Sequence, residues 1–206
     1  AAAQDRHRLS RFDPATGQRS EVSGGDTYAG RPFNQLSDLV VRADGNIYFS
    51  DPGVQQAGHT GQGVMAFYRL SPAGMVTRIA IANNGSGVAL SPDGGALYLA
   101  TLGGGAFIRF GLASDGTPRG STIWRERSSD GLAVDCAGHL YLSVTENGAG
   151  QIRVVTPTGA PVGTITGFGA TAVTNSAFGG DDHKTLFITT TTSLYRIDLN
   201  LPGFPN

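Results

Sequence analysis

Polar side chains at the start of strand-like segments are the residues of this sequence with the clearest capacity for chemistry. Asp130 lies near the start of the segment SSDGLAVDCAGHLYLS (128–143), which passes through a turn into a second strand-like stretch. Its carboxylate could accept hydrogen bonds from the nearby backbone of Gly131 and Leu132 and so begin the strand. It could also bind a metal ion or take a proton from water. By itself the residue pattern leaves both roles open and favours the first.

Two asparagines and three further aspartates stand at similar boundaries. Asn34 and Asn175 open loops or strands, where their amides could hydrogen-bond substrate hydroxyl groups. Asp51 ends the segment YFSD before a proline, a position that typically orders a turn. Asp38 and Asp135 begin and end short apolar segments, and we interpret both as structural residues.

Other common catalytic arrangements do not occur in the sequence. No pair among the four histidines has zinc-ligand spacing, and His59 lies in a glycine-rich stretch that could fold over a site. There is no G-x-S-x-G nucleophile motif and no glycine-rich phosphate loop between a strand and a helix. The sequence therefore argues against a serine hydrolase and against a nucleotide cofactor.

The elements that must position these residues come from an internal repeat. Four segments share a polar turn followed by an apolar-aromatic strand: ADGNIYFSDP (43–52), PDGGALYLAT (92–101), CAGHLYLSVT (136–145) and DDHKTLFITT (181–190). Their aromatic residues Tyr48, Tyr98, Tyr141 and Phe187 are separated by 50, 43 and 46 residues. This period is typical of four-stranded propeller blades, and the sequence predicts an all-β propeller.

Each repeat also predicts the order of strands within a blade. A short apolar strand precedes the turn, a third strand follows the aromatic one, and a more polar fourth strand comes next, as in 75–82 and 161–168. At about 45 residues per blade, residues 1–206 form one domain of about four and a half blades. We expect the first blade and part of the second to be missing, which would leave a blade edge free for self-association.

Composition limits the class of partner. The chain has 206 residues, 31 glycines, one cysteine and a formal net charge of −1. No basic face favours nucleic acid, and no run of about 18 apolar residues predicts a membrane span. A single cysteine, Cys136, excludes an internal disulfide. We therefore expect a small-molecule partner, and the sequence does not indicate a compartment.

The ordered set of these segments resembles the gluconolactonase and senescence-marker-protein (regucalcin-like) family. The segments that carry the resemblance are RPFNQLSDLVVRADGNIYFSDP (31–52), GVALSPDGGALYLA (87–100), SSDGLAVDCAGHLYLS (128–143) and TNSAFGGDDHKTLFIT (174–189). The resemblance implies a six-bladed propeller and a lactonase that uses a divalent cation at the mouth of the central channel. The cation is commonly Ca²⁺, with Zn²⁺, Mn²⁺ or Mg²⁺ as alternatives.

Family ligands can be carried over residue by residue. Asp130 matches the family's aspartate ligand, which makes it the expected metal ligand and catalytic base. Ser86 stands where the family has an asparagine ligand, and Ser37 stands where it has a substrate-binding asparagine. The family's first-blade glutamate has no counterpart in this sequence. The resemblance also places the region of Asp51 near the substrate, and Asn34 and Asn175 open loops or strands on the same side.

Two functions follow from this comparison. The first is a metal-dependent hydrolase that opens a sugar lactone or related lactone by attack of water, with specificity set by loops 53–63 and 102–106. The alternative is a propeller that binds a small ligand or a protein without catalysis, because both family asparagines are replaced by serine. We favour the hydrolase, since a substituted site often keeps the reaction class of its family.

Overall fold

The computed structural model describes residues 2–3, 7–53, 61–82, 84–102, 107–124 and 129–204. Every regular element in these residues is a β-strand, which confirms the all-β prediction. Within the same residues there is no helix that could cross a membrane. The predictions for His59 and for most of loops 53–63 and 102–106 fall outside the described residues.

Strands are grouped into antiparallel sheets that follow one another along the chain. A three-stranded sheet comes first and is followed by a two-stranded ribbon: β1 (Ala2–Ala3), β2 (Arg8–Phe12), β3 (Arg19–Glu21), then β4 (Thr27–Tyr28) and β5 (Arg31–Pro32). The first full blade contains β6 (Leu39–Val41), β7 (Ile47–Asp51), β8 (Ala66–Leu70) and β9 (Val76–Ile81).

Two more full blades and one shorter blade complete the described chain. The second full blade contains β10 (Gly85–Leu90), β11 (Ala96–Thr101), β12 (Phe107–Leu112) and β13 (Pro118–Trp124). The third contains β14 (Ser129–Val134), β15 (Leu140–Glu146), β16 (Ala149–Val155) and β17 (Pro161–Ile165). The terminal blade contains β18 (Val173–Gly179), β19 (Thr185–Thr190) and β20 (Leu194–Asp198). These four blades confirm the propeller prediction.

The hydrophobic core lies between the blades. Tyr48 and Phe67 of the first blade pack with Leu97 and Leu99 of the second in one buried cluster. Another cluster joins the second blade to the third, and a third cluster joins the third blade to the terminal one. A blade between two others buries apolar side chains on both of its faces. Hydrophobic contact with the neighbouring blades is therefore the main interaction that stabilises it.

Turns and outer strands follow from the residue types. Gly45, Gly94 and Gly138 adopt φ of 89°, 63° and 86° in the tight turns that follow β6, β10 and β14. Residues with a side chain rarely adopt this backbone conformation, which explains why glycine occupies these positions. The outer strand β17 is largely exposed along its whole length, as expected for the last strand of a blade. The inner strands β6, β10, β14 and β18 all begin at the same end of their blades.

Candidate functional site

Ser86 and Asp130 meet across the boundary between the second and third blades. The Ser86 hydroxyl donates a hydrogen bond to Oδ1 of Asp130 over 2.5 Å. In the part of the chain that the structure describes, the N–H groups of Gly131 and Leu132 do not donate to the Asp130 carboxylate. The strand-opening role considered for Asp130 is therefore not seen, and its second oxygen accepts no hydrogen bond from the described residues.

Two β-bulges bring these residues together. The register of β10 against β11 shifts between Gly85 and Val88, and the register of β14 against β15 shifts between Ser129 and Leu132. Ser86 and Asp130 are therefore the extra residues of equivalent bulges, which typically re-aim a side chain near a binding site. A Cβ atom on Gly87 would lie 2.7 Å from the Asp130 carbonyl oxygen, so only glycine allows the two strands to approach this closely.

Asp38 belongs to the same site, although the sequence indicated only a structural role. Its Oδ1 accepts a hydrogen bond from the N–H of Leu39 (2.9 Å), and its Oδ2 accepts one from the N–H of Val88 on β10 (3.0 Å). Burial, together with a smaller effect of the Asp130 charge, raises the pKa of Asp38 to about 6 against the lowering effect of these two N–H groups. The signal for Asp38 was its position just before an inner strand, one residue after Ser37, which is the position equivalent to Ser86 and Asp130 in the other blades.

Asp130 is also perturbed by its surroundings. Burial raises the pKa of its carboxyl group, and the hydrogen bond from Ser86 partly opposes this rise. Among the described residues, no cationic side chain acts on the pKa of Asp38 or Asp130. Two partly buried carboxyl groups that no described cationic side chain neutralises form an arrangement that a bound cation would stabilise.

Ser50 connects the first two blades directly behind these side chains. Its hydroxyl accepts a hydrogen bond from the N–H of Asp38 (3.0 Å) and donates one to the carbonyl oxygen of Ser86 (2.6 Å). The backbone of Ser50 also pairs with the segment before β6, because its N–H donates to the Asp38 carbonyl (3.0 Å) and its carbonyl accepts from the N–H of Ser37 (3.1 Å). Nothing in the sequence pattern singled out Ser50.

Ser37 and Asn175 are exposed at the same end of the inner strands. Asn175 follows a register shift in β18, between Val173 and Asn175. Its Oδ1 accepts a hydrogen bond from the N–H of Ser176 (2.8 Å) and lies 2.0 Å from where a Cβ on Gly131 would be. Asn175 therefore borders Asp130 and remains a predicted substrate contact.

Asn34 and Asp51 form a separate buried pair. Oδ2 of Asp51 accepts hydrogen bonds from the backbone N–H of Asn34 (2.9 Å) and from its side-chain amide (3.1 Å), while Oδ1 accepts from the N–H of Gln35 (2.7 Å). The Asn34 amide also donates to the Val64 carbonyl (2.9 Å). These bonds order the chain before β6 and after β7. They favour a supporting role, and contact of either residue with substrate stays a prediction.

The oxygen atoms near Asp130 set limits on a metal ion. No group of three or more His, Cys, Asp or Glu side chains suited to a metal ion is found in the described ranges. The site offers the carboxylates of Asp38 and Asp130, the hydroxyl of Ser86 and the amide oxygen of Asn175. An oxygen-only set with two carboxylates fits a hard cation such as Ca²⁺ better than Zn²⁺, with an affinity limited by the number of charges.

Consecutive four-stranded sheets, with polar side chains gathered where their inner strands begin, define a β-propeller with a candidate site at that end of the blades. The chain belongs to the family described as SMP-30/Gluconolactonase/LRE-like region, whose pattern matches residues 1–192. The resemblance inferred from the sequence is thereby confirmed.

Solved structures with similar folds agree with this assignment. A gluconolactonase from Xanthomonas campestris is 28% identical with a TM-score of 0.78, over 98% of this chain and 67% of that one. A candidate gluconolactonase has a TM-score of 0.82 at 24% identity, over 100% of this chain and 71% of that one. The calcium-binding regucalcin of Agrobacterium tumefaciens has a TM-score of 0.76 at 19% identity, over 98% of this chain and 72% of that one. The last two structures are less than 25% identical to this chain, and their similarity shows the fold alone.

Proposed function

We propose that this protein is a metal-dependent hydrolase that opens a sugar lactone or a related lactone with water. The observation that supports it most directly is the approach of two partly buried carboxyl groups, Asp38 and Asp130, with no cationic side chain of the described residues acting on them. Membership in a family that contains gluconolactonases supplies the reaction class.

A divalent cation, preferably Ca²⁺, would be held by Asp130, Ser86 and Asp38, where it would polarise the lactone carbonyl and acidify a water molecule. Asp130 is the proposed base, because one carboxylate oxygen accepts the hydrogen bond from Ser86 and the other accepts none from the described residues. Ser86 orients Asp130 through its hydrogen bond. Asp38 adds negative charge and fixes β10 against the first blade through the N–H of Val88.

The reaction balances without a further reagent. Water forms a bond from its oxygen to the lactone carbonyl carbon, and one of its protons passes to the Asp130 carboxylate. The ring C–O bond then breaks, and the same proton passes to the departing ring oxygen, giving a hydroxy acid. Asn175 and Ser37 are exposed next to the carboxylates, so their side chains can hydrogen-bond the hydroxyl groups of a sugar lactone.

Replacing Asp130 tests this proposal. Asp130→Asn removes the charge at nearly constant shape, and we expect it to abolish calcium binding and hydrolysis of glucono-1,5-lactone while the fold survives. Asp93→Asn is the matched control, since it removes one negative charge from the exposed turn at the other end of β10. Calorimetric calcium titrations and lactonase assays should separate the two variants. Identical isotherms for the wild type and Asp130→Asn would refute the proposal.

The second candidate is a propeller that binds a ligand without catalysis. It is favoured by serine at positions 37 and 86 and by the presence of only two carboxylates at the site among the described residues. This candidate predicts calcium or sugar-acid binding without lactone hydrolysis. Ser86→Asn combined with Ser37→Asn should then raise calcium affinity only while Asp130 is intact, because the amide oxygens add reach but no charge.

A further inference from the structure

We propose that Ser50 is a positioning residue that fixes Asp38 relative to the Ser86–Asp130 pair, and this inference rests on the proposed function. Ser50 lies on β7, its side chain is 0% exposed, and it has no route to a substrate or a metal ion. Its influence on the site must therefore pass through the backbone groups that it binds.

The hydroxyl group of Ser50 is used in both directions. It accepts from the N–H of Asp38, in the first blade, and donates to the carbonyl oxygen of Ser86, in the second. Only a group that can donate and accept at once can make both bonds. An alanine here would leave a buried N–H and a buried C=O without these partners.

The bulge in β10 explains why the Ser86 carbonyl needs this donor. A bulge places two residues opposite one and leaves the extra residue outside the regular ladder. Ser86 and Gly87 stand in that position, since Gly85 pairs with Thr101 and Val88 pairs with Leu99. Ser50 supplies a hydrogen bond to Ser86 that the strand ladder does not, and so stabilises the bulge that aims Ser86 at Asp130.

The third blade provides a matched control for Ser50. Ser143 lies two residues after Tyr141 on β15, as Ser50 lies two residues after Tyr48 on β7. Ser143 is 1% exposed, and its hydroxyl has no hydrogen-bond partner among the described residues. Removing the hydroxyl from Ser143 therefore makes the same change in volume as at Ser50 without breaking a hydrogen bond.

The experiment compares Ser50→Ala, Ser143→Ala and Asp130→Asn in the full chain. We expect Ser50→Ala to weaken calcium binding by roughly 10–100-fold, the usual effect of losing a group that orients a ligand. It should lower kcat for glucono-1,5-lactone more than it raises KM. Ser143→Ala should leave calcium affinity, kcat and KM as in the wild type. Thermal unfolding of each variant shows whether a loss of calcium affinity or activity is caused by destabilisation of the fold.

The inference about Ser50 and the proposed function fail in distinguishable ways. If Asp130→Asn loses calcium while Ser50→Ala and Ser143→Ala bind it equally, Ser50 has no positioning role and the proposed function stands. If the wild type binds no calcium, the proposed function fails. Amide hydrogen exchange in the metal-free protein then still tests Ser50, because exchange at Asp38 should be faster in Ser50→Ala than in Ser143→Ala, and equal rates would refute the inference.

An isosteric pair covers the case in which Ser50→Ala does not fold. Ser50→Thr and Ser50→Val have nearly the same shape and differ only in the hydroxyl group. We expect the threonine variant to bind calcium more tightly than the valine variant by roughly 10–100-fold, the factor expected for Ser50→Ala. Equal affinities would count against a role for the hydroxyl.

Discussion

The second full blade and the terminal blade have the same strand order but are buried differently. In the second blade, every residue of β10 and β11 is buried. In the terminal blade, β19 alternates, with Leu186 and Ile188 buried and Phe187 and Thr189 exposed. The equivalent aromatic residues show the same contrast, since Tyr98 is 1% exposed and Phe187 is 36% exposed.

Contact with a neighbouring blade explains this difference better than strand propensity does. The second blade packs against a blade on each side, and the terminal blade packs against the third blade on one side. The residue types agree, because β11 reads ALYLAT and β19 reads TLFITT. The site obeys the same principle, because the Ser86–Asp130 and Asp38–Val88 hydrogen bonds each join two blades.

The largest expected effect compares the two aromatic positions. Tyr98→Ala should lower the free energy of unfolding by about 3–5 kcal/mol, because it leaves a cavity beside Phe107 in a fully buried cluster. Phe187→Ala should cost about 1 kcal/mol, since much of its ring is already in water. Urea unfolding of both variants measures the difference. Equal losses would show that the terminal blade is covered in solution.

The pH dependence of stability tests the boundary between the first two blades. Asp38 has a pKa of about 6 in the folded chain and an ordinary value of 3.8 when exposed. The folded state therefore binds this proton more tightly, so its contribution to stability is present below about pH 4 and is lost as the pH rises through about 6. Thermal unfolding of the metal-free protein should show this loss, and Asp38→Asn should remove the slope between pH 4 and 6.

Self-association is expected through the exposed side of the terminal blade. Among the described residues, Phe187 and Leu194 are large exposed apolar residues of that face, because Thr189, which shares the face of Phe187, pairs with Leu194. Phe187→Lys should reduce association in light scattering, because a charge opposes the pairing of two exposed sheets. Val162→Lys is the control, since Val162 is also exposed but lies on the outer strand of a blade with four strands. A wild type that stays monomeric would contradict this expectation.

The sequence predicts the fold well because propeller blades repeat local patterns. Turn glycines such as Gly94, buried aromatics such as Tyr98 and the outer strand β17 are each visible within a few residues. Asp130 was found through family resemblance, whereas Asp38 and Ser50 were missed. Their partners Val88 and Ser86 lie in the next blade, 50 and 36 residues further along the chain. No local pattern encodes a hydrogen bond between two blades.

The smallest expected effect concerns the turn that joins the first two strands of each blade. In the terminal blade, His183 adopts φ of 56° where Gly94 has 63° in the second blade. A side chain in this conformation costs about 1–2 kcal/mol, whereas glycine loses about 0.5–1 kcal/mol more entropy on folding. His183→Gly should therefore stabilise the protein by about 1 kcal/mol or less, because its backbone hydrogen bonds to Gly180 and Gly203 are unaffected.

Gly94→Ala is the matched substitution in the second blade and should destabilise the protein by about 1 kcal/mol. The new Cβ atom would meet only the Arg42 side chain at ordinary contact distance, so the cost lies in the backbone conformation. Urea unfolding measures both, and changes of the same sign would show that the two turns are not equivalent.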